Sequence, residues 1–250
     1  MKKNALWMLA VIAFVMIAST AYSQTKEKID KANAKGNAVF LAVTDGSKML
    51  TEVNAMAAKA QKKYPKSEVI ILDRTDKTNA ALVAKYGLSG APLPLILVMA
   101  PNGVVGGGLQ LKEATPEELV GLVPTKKQAQ ALLAFSEGKS AYIVLYKKSM
   151  KDKAKTLAEC NKAVAGIAGK GVVVEVDLDD KSEAEFLDLL KPEMAATETH
   201  VMVFNGKGQF NDEFKAPVQS ATLVASSRKV AKSGCAPGAC GAGTSGCGTK

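Results

Sequence analysis

Landmarks in the first half of this 250-residue chain return in the second half at an offset of 102 to 105 residues, and nothing else in the sequence limits the fold as tightly. Gly36 is matched by Gly138, Ser47 by Ser149, Asp73 by Asp177 and Thr115 by Ser220. In the first copy, Gln24 to Lys35 carries Ile29 and Ala32 at helical spacing, and Gly36 ends the helix. Ala38 to Val43 is an unbroken apolar run, the pattern of a strand covered on both faces. Ser47 is placed to cap a helix whose Met49, Val53, Met56, Ala57, Ala60 and Tyr64 share one stripe, before Pro65 stops it. Val69 to Leu72 reads as a second strand, and Asn79 to Lys85 as a helix terminated by Gly87. Two short strands follow, joined at Asn102-Gly103. Thr115, Pro116, Glu117 and Glu118 open a last helix, with a cap, a preset φ and carboxylates on the positive end of the helix dipole.

The second copy repeats this order. It has a helix at Leu132 to Glu137, strands at Ala141 to Tyr146 and Val172 to Asp177, a helix at Glu183 to Leu190, a strand at His200 to Phe204, a hairpin at Gly206-Lys207-Gly208, and a helix capped by Ser220. An offset held within 102 to 105 residues means tandem duplication of one α/β unit, not one larger sheet.

The ends differ from this body. Lys2 and Lys3, an apolar run from Ala5 to Ala18 and Ala21-Tyr22-Ser23 read as an export signal cleaved after Ser23. The run is shorter than the roughly 20 residues that span hydrocarbon, so no stable membrane anchor is expected after signal removal. From Ser233 the chain turns to Gly, Ala, Ser and Cys, which bury too little apolar area to offset chain entropy; a flexible tail is expected over 233–250. The expected organisation is a signal over 1–23, one domain over 24–124, a second over 125–232 and the tail. Net charge is +9, or about +7 without the signal lysines, and all basic residues but Arg74 and Arg228 are lysine. Nucleic-acid surfaces exploit the planar guanidinium, so a nucleic-acid partner is not expected.

The stretch Tyr86-Gly87-Leu88-Ser89-Gly90-Ala91-Pro92-Leu93-Pro94, followed by Leu95 to Val98 and the Asn102-Gly103 turn, resembles the second half of a thioredoxin fold. The resemblance implies two tandem thioredoxin-like domains, each a central mixed sheet flanked by helices. It also implies a cis-proline before the third strand, shaping a surface that holds extended peptide. Pro94 fits by its distance to the turn and Pro92 by its distance to Tyr86-Gly87; Pro94 is preferred. The second copy has Thr197-Glu198-Thr199 there. Redox-active members carry Cys-x-x-Cys where this chain has Thr44-Asp45-Gly46-Ser47 and, in the second copy, Tyr146-Lys147-Lys148-Ser149. Without sulfur, dithiol exchange at these degenerate positions is excluded.

The four cysteines are Cys160, Cys235, Cys240 and Cys247. Cys160 shares a helical stripe with Leu157, Val164 and Ile167 and is expected to be a buried, inert thiol. The three tail cysteines are open to a disulfide, a disulfide-linked partner, or a soft ion such as Cu or Zn, although Cys-x4-Cys-x6-Cys is not the spacing of a structural zinc site. His200 opens a core strand without a ligand partner in sequence, and Asp177, Asp179 and Asp180 lack the alternation of a calcium loop. Gly106-Gly107-Gly108 is not followed by the Lys-Ser/Thr of a phosphate loop. No nucleophile–base–acid set is visible. The expectation is therefore a non-catalytic binding or scaffold protein of the periplasm or exterior, without a cofactor, recognising protein or extended peptide. The alternative is a thiol-redox or metal-handling protein acting through the tail.

Overall fold

The two unbroken apolar runs become the centres of two separate sheets. The structure, a computed structural model, describes residues 24–46 and 49–230; the signal segment, Ser47 and the tail cysteines lie outside the described residues. The first sheet holds β1 (Ala38–Thr44), β2 (Ser67–Asp73), β3 (Leu95–Met99) and β4 (Val105–Gln110), and the second β5 (Ser140–Tyr146), β6 (Gly171–Asp177), β7 (His200–Phe204) and β8 (Phe210–Lys215). Their orders are β2-β1-β3-β4 and β6-β5-β7-β8. In each, the first two strands run parallel and the other neighbours antiparallel, with a bulge in the last pair.

Among the described residues, eight α-helices cover these sheets: α1 (Gln24–Ala34), α2 (Leu50–Lys63), α3 (Ala80–Lys85), α4 (Pro116–Gly121), α5 (Lys126–Ser136), α6 (Lys153–Gly166), α7 (Ala184–Leu190) and α8 (Ser220–Ser227). Successive side chains of a strand point to opposite faces, so a strand covered on both sides feeds two cores. Val39, Leu41 and Val43 of β1 meet Ile29 of α1 and Leu82 of α3, whereas Phe40 and Ala42 meet Val53 of α2 and Leu119 of α4. The second sheet repeats this, with Ile143 and Leu145 packing towards α5 and α7, and Tyr142 and Val144 towards α6 and α8. The glycine run of β4 serves close packing. A Cβ on Gly106 would land on the Leu122 carbonyl and the Pro124 ring, and one on Gly108 would lie 2.6 Å from Leu97.

Helix starts correct the sequence reading in several places. Thr115 caps α4 in a complete capping box with Glu118, as expected. A second capping box, Thr125 with Gln128, starts α5 six residues earlier than Leu132, because the first two turns present their apolar side chains less regularly. Ser149 caps nothing: it lies in a turn, and α6 begins after Asp152. Ser220 is the first residue of α8, behind Gln219, and its backbone N–H donates to Glu159. In the first unit Met49 precedes α2 with no side-chain cap.

Candidate functional site

The register β1–β3 pairs Val43 with Leu95, which sets the turn Thr44-Asp45-Gly46 beside Pro94. The Leu93–Pro94 peptide bond is cis, and no such bond precedes Pro92, which is exposed. Thr44 is buried and its Oγ1 accepts from the Gly46 N–H at 3.1 Å. Gly46 adopts φ +76°, a backbone state that glycine enters without a Cβ clash. Asp45 and Gly46 are exposed, and Met49 and Leu50, 40% and 37% exposed, follow at the start of α2. The sequence did not point to Arg74. Its backbone N–H donates to the Thr44 carbonyl at 2.7 Å, and its Nη1 donates to the carbonyls of Leu88 and Ala91 at 3.1 and 2.8 Å. One guanidinium thus ties the loop before Pro94 to the end of β2. Among the described residues, the first mouth thus carries the Thr44–Gly46 turn, tied through Arg74 to the loop before Pro94, and the exposed Met49 and Leu50.

The second mouth is built from the same elements and closed. Leu145 pairs with His200, so Thr199 stands where Pro94 stands in the first unit. Asp152, at the start of α6, accepts from the Thr199 N–H at 3.1 Å and from its hydroxyl at 2.8 Å, and Thr199 is 0% exposed. Lys153 lies over the Tyr146 ring, 3.4 Å from its centroid, and pairs with Glu175 at 2.9 Å. Lys153 occupies the first helical position, where the first unit has exposed Leu50. The Asp152–Thr199 and Lys153–Glu175 contacts are not legible in sequence, since the partners are 47 and 22 residues apart.

Burial disfavours ionised Asp152, but the two bonds from Thr199 outweigh it and hold the carboxyl below its ordinary 3.8. A depressed carboxyl stabilises the fold above the unfolded value and loses that contribution as pH falls through the folded one. Asp152→Ala is expected to destabilise the second unit by about 1 kcal/mol near pH 7, a bond to a charged acceptor discounted for solvent screening. The difference from the parent protein shrinks as pH drops below about 3.8. Urea unfolding at neutral and at acid pH measures it, and an equal difference at both would show that the carboxylate's charge is not involved.

Other candidate residues are separate from both mouths. Cys160 is fully buried on α6; burial, with a smaller push from Glu159, raises its thiol to about 12. His200 is 2% exposed, its Nδ1 lies 2.7 Å from Glu213 Oε1, and its Nε2 is buried without a hydrogen-bond partner among the described residues. Asp177 accepts from the Asp179 N–H, and Asp180 accepts from both the N–H and the hydroxyl of Ser182, so these carboxylates order a loop. Among the described residues no group of three or more His, Cys, Asp or Glu is placed to hold a metal ion, and no helix is long and apolar enough to cross a membrane.

No family model matches the chain, and no curated protein matches it significantly. Solved structures similar to it include the first two thioredoxin domains of Saccharomyces cerevisiae Eps1p, at 11% identity and TM-score 0.31, covering 82% of this chain and 96% of that one. The same two domains of Naumovozyma dairenensis Eps1p give 10% identity and TM-score 0.30, covering 82% and 95%. Human ERp44 gives 9% identity and TM-score 0.34, covering 80% of this chain and 54% of that one. The fold is set by the strands themselves: a parallel β-α-β crossover, an antiparallel hairpin, the order β2-β1-β3-β4 and helices on both faces, in each of two units. The chain is two thioredoxin-like folds in tandem.

Proposed function

We propose that this is an exported, non-catalytic thioredoxin-fold binding protein whose first unit holds an extended segment of a partner protein, with no cofactor. The observation that carries the reading is the contrast between the two mouths. In the first, Met49 and Leu50 stand exposed at the start of α2, just after the Thr44–Gly46 turn that the register sets beside the Leu93–Pro94 bond. In the second, the same place is filled by Asp152, Thr199, Lys153 and Tyr146 bound to one another or to Glu175. Two adjacent exposed apolar side chains beside the Thr44–Gly46 turn favour binding, and the buried Cys160 thiol supplies no nucleophile.

The test uses the mature protein and a labelled, carboxymethylated and hence permanently unfolded polypeptide. Anisotropy is expected to show binding that Leu50→Asp weakens about tenfold, since an apolar rim residue becomes a charge. Aspartate suits the first turn of a helix, so the variant retains its fold. Binding unchanged by Leu50→Asp overturns the site. The alternative of thiol or soft-metal chemistry at Cys235, Cys240 and Cys247 is separated by native mass spectrometry and an insulin-reduction assay. Reductase activity lost in a variant with all three changed to serine would replace the binding reading with a redox one.

A further inference from the structure

The second unit holds a cavity lined mostly by aromatic and aliphatic side chains. Between α5 and α7 this cavity of about 340 Å³ opens over β7 and the start of β8. Phe135, Phe186, Phe204 and Phe210 wall it, and Gln128 is the one polar side chain on its lining. Phe204 sits 5.8 Å from Phe135 and 5.6 Å from Phe210 between ring centroids, spacings at which aromatic pairs attract. Two large apolar side chains on the rim are left in water: Leu189 is 66% exposed and Phe210 51%. In the first sheet the bulged pair equivalent to Phe204 and Phe210 is Met99 and Val105, so the aromatic wall belongs to the second unit alone.

A cavity of this size and lining accepts one or two bulky apolar side chains. What they are attached to follows from the neighbouring strand. β8 is the outermost strand of its sheet, and among the described residues no strand pairs with its outer side. Phe210 is both the first residue of that open edge and a wall of the cavity. A row of unpaired N–H and C=O groups is complementary to another extended backbone. Self-pairing is disfavoured: an antiparallel β8–β8 contact centred on the strand would set Asp212 against Glu213 of the other copy.

We infer that the second unit is a docking site for an extended polypeptide that adds a strand along the outer edge of β8 and buries a bulky apolar side chain among Phe135, Phe186, Phe204 and Phe210. This goes beyond the first-unit mouth and rests on the binding role proposed above. The open edge supplies main-chain affinity and the cavity selects the side chain.

The probe is a fluorescent, uncharged hexapeptide of alternating threonine and valine with one central phenylalanine, titrated into the full mature protein. Binding is expected to weaken about tenfold or more in Leu189→Asp and in Phe210→Asp, both exposed positions whose change leaves the core intact, and to be unaffected by Leu50→Asp. The same hexapeptide N-methylated on alternate amides is expected to lose binding, because it cannot pair with the edge. Equal binding of the N-methylated probe overturns the strand addition, and binding untouched by the Leu189 and Phe210 variants overturns the site. Loss confined to Leu50→Asp overturns this inference while leaving the first-unit reading intact. Reversible self-association that Phe210→Asp abolishes would show instead that a second copy covers the face.

Discussion

Alkylation of Cys160 in the folded protein at about pH 8 is expected to run at least a thousandfold slower than in the urea-unfolded chain. The thiol lies at zero exposure between the sheet and α8, packed in the core that holds Tyr142, Val144, Val201 and Leu223. Burial removes the water that would solvate a thiolate, and nearby Glu159 adds a like charge; together they push the thiol from its ordinary 9.0 to about 12. The thiolate is the reactive species, so at about pH 8 its fraction falls by about a thousandfold before steric shielding is counted. Peptide mapping by mass after a timed iodoacetamide pulse reads Cys160 separately from the tail cysteines. A native rate within about tenfold of the unfolded one would mean that α6 opens readily or that the thiol is activated, and would return Cys160 to the candidates for redox chemistry.

Gly106→Ala is expected to cost the first unit about 3 kcal/mol, at the upper end of overpacking penalties. The added methyl meets the Leu122 carbonyl and the Pro124 ring, both part of the backbone path that leads from α4 into α5. Neither is the flexible end of a side chain, so relief requires β4 to move away from that segment or out of its pairing with β3. For a unit of about 100 residues that corresponds to a melting point lower by roughly 10 °C or more. Gly90→Ala is the internal control. A Cβ there meets nothing within 4 Å, and the residue is not among the positive-φ glycines, so its effect is small. Coincident melting curves for the two variants would show that β4 tolerates side chains and that its glycines have another purpose.

Some of this architecture was legible because the physics is local. Ala38 to Val43 reads as apolar at every position because β1 is covered on both faces. The Thr115-Pro116-Glu117-Glu118 signature needs only four consecutive residues to cap a helix. Cys160 declared its burial through the helical spacing of Leu157, Val164 and Ile167, which pack beside it. The capping role assigned to Ser149 failed for the opposite reason. Several turn residues stand between Ser149 and α6, and the side chain at the helix start, Asp152, is bound to Thr199 instead.

The sequence by itself determined the number of units, the order of their elements and the lack of cysteine in Thr44-Asp45-Gly46-Ser47 and Tyr146-Lys147-Lys148-Ser149, because repeats, apolar periodicity and residue identity are properties of neighbouring positions. Tertiary structure alone decided that the second mouth is bridged by side-chain contacts. Asp152 meets Thr199 across 47 residues and Arg74 reaches the carbonyls of Leu88 and Ala91, pairings that arise only when strand register carries distant segments to the same sheet end. It also gathered Phe135, Phe186, Phe204 and Phe210 into one cavity beside an unpaired strand edge. Each of the four reads in the chain as an ordinary core residue, and only the gap between α5 and α7 leaves their rings facing space that a partner's side chain can fill.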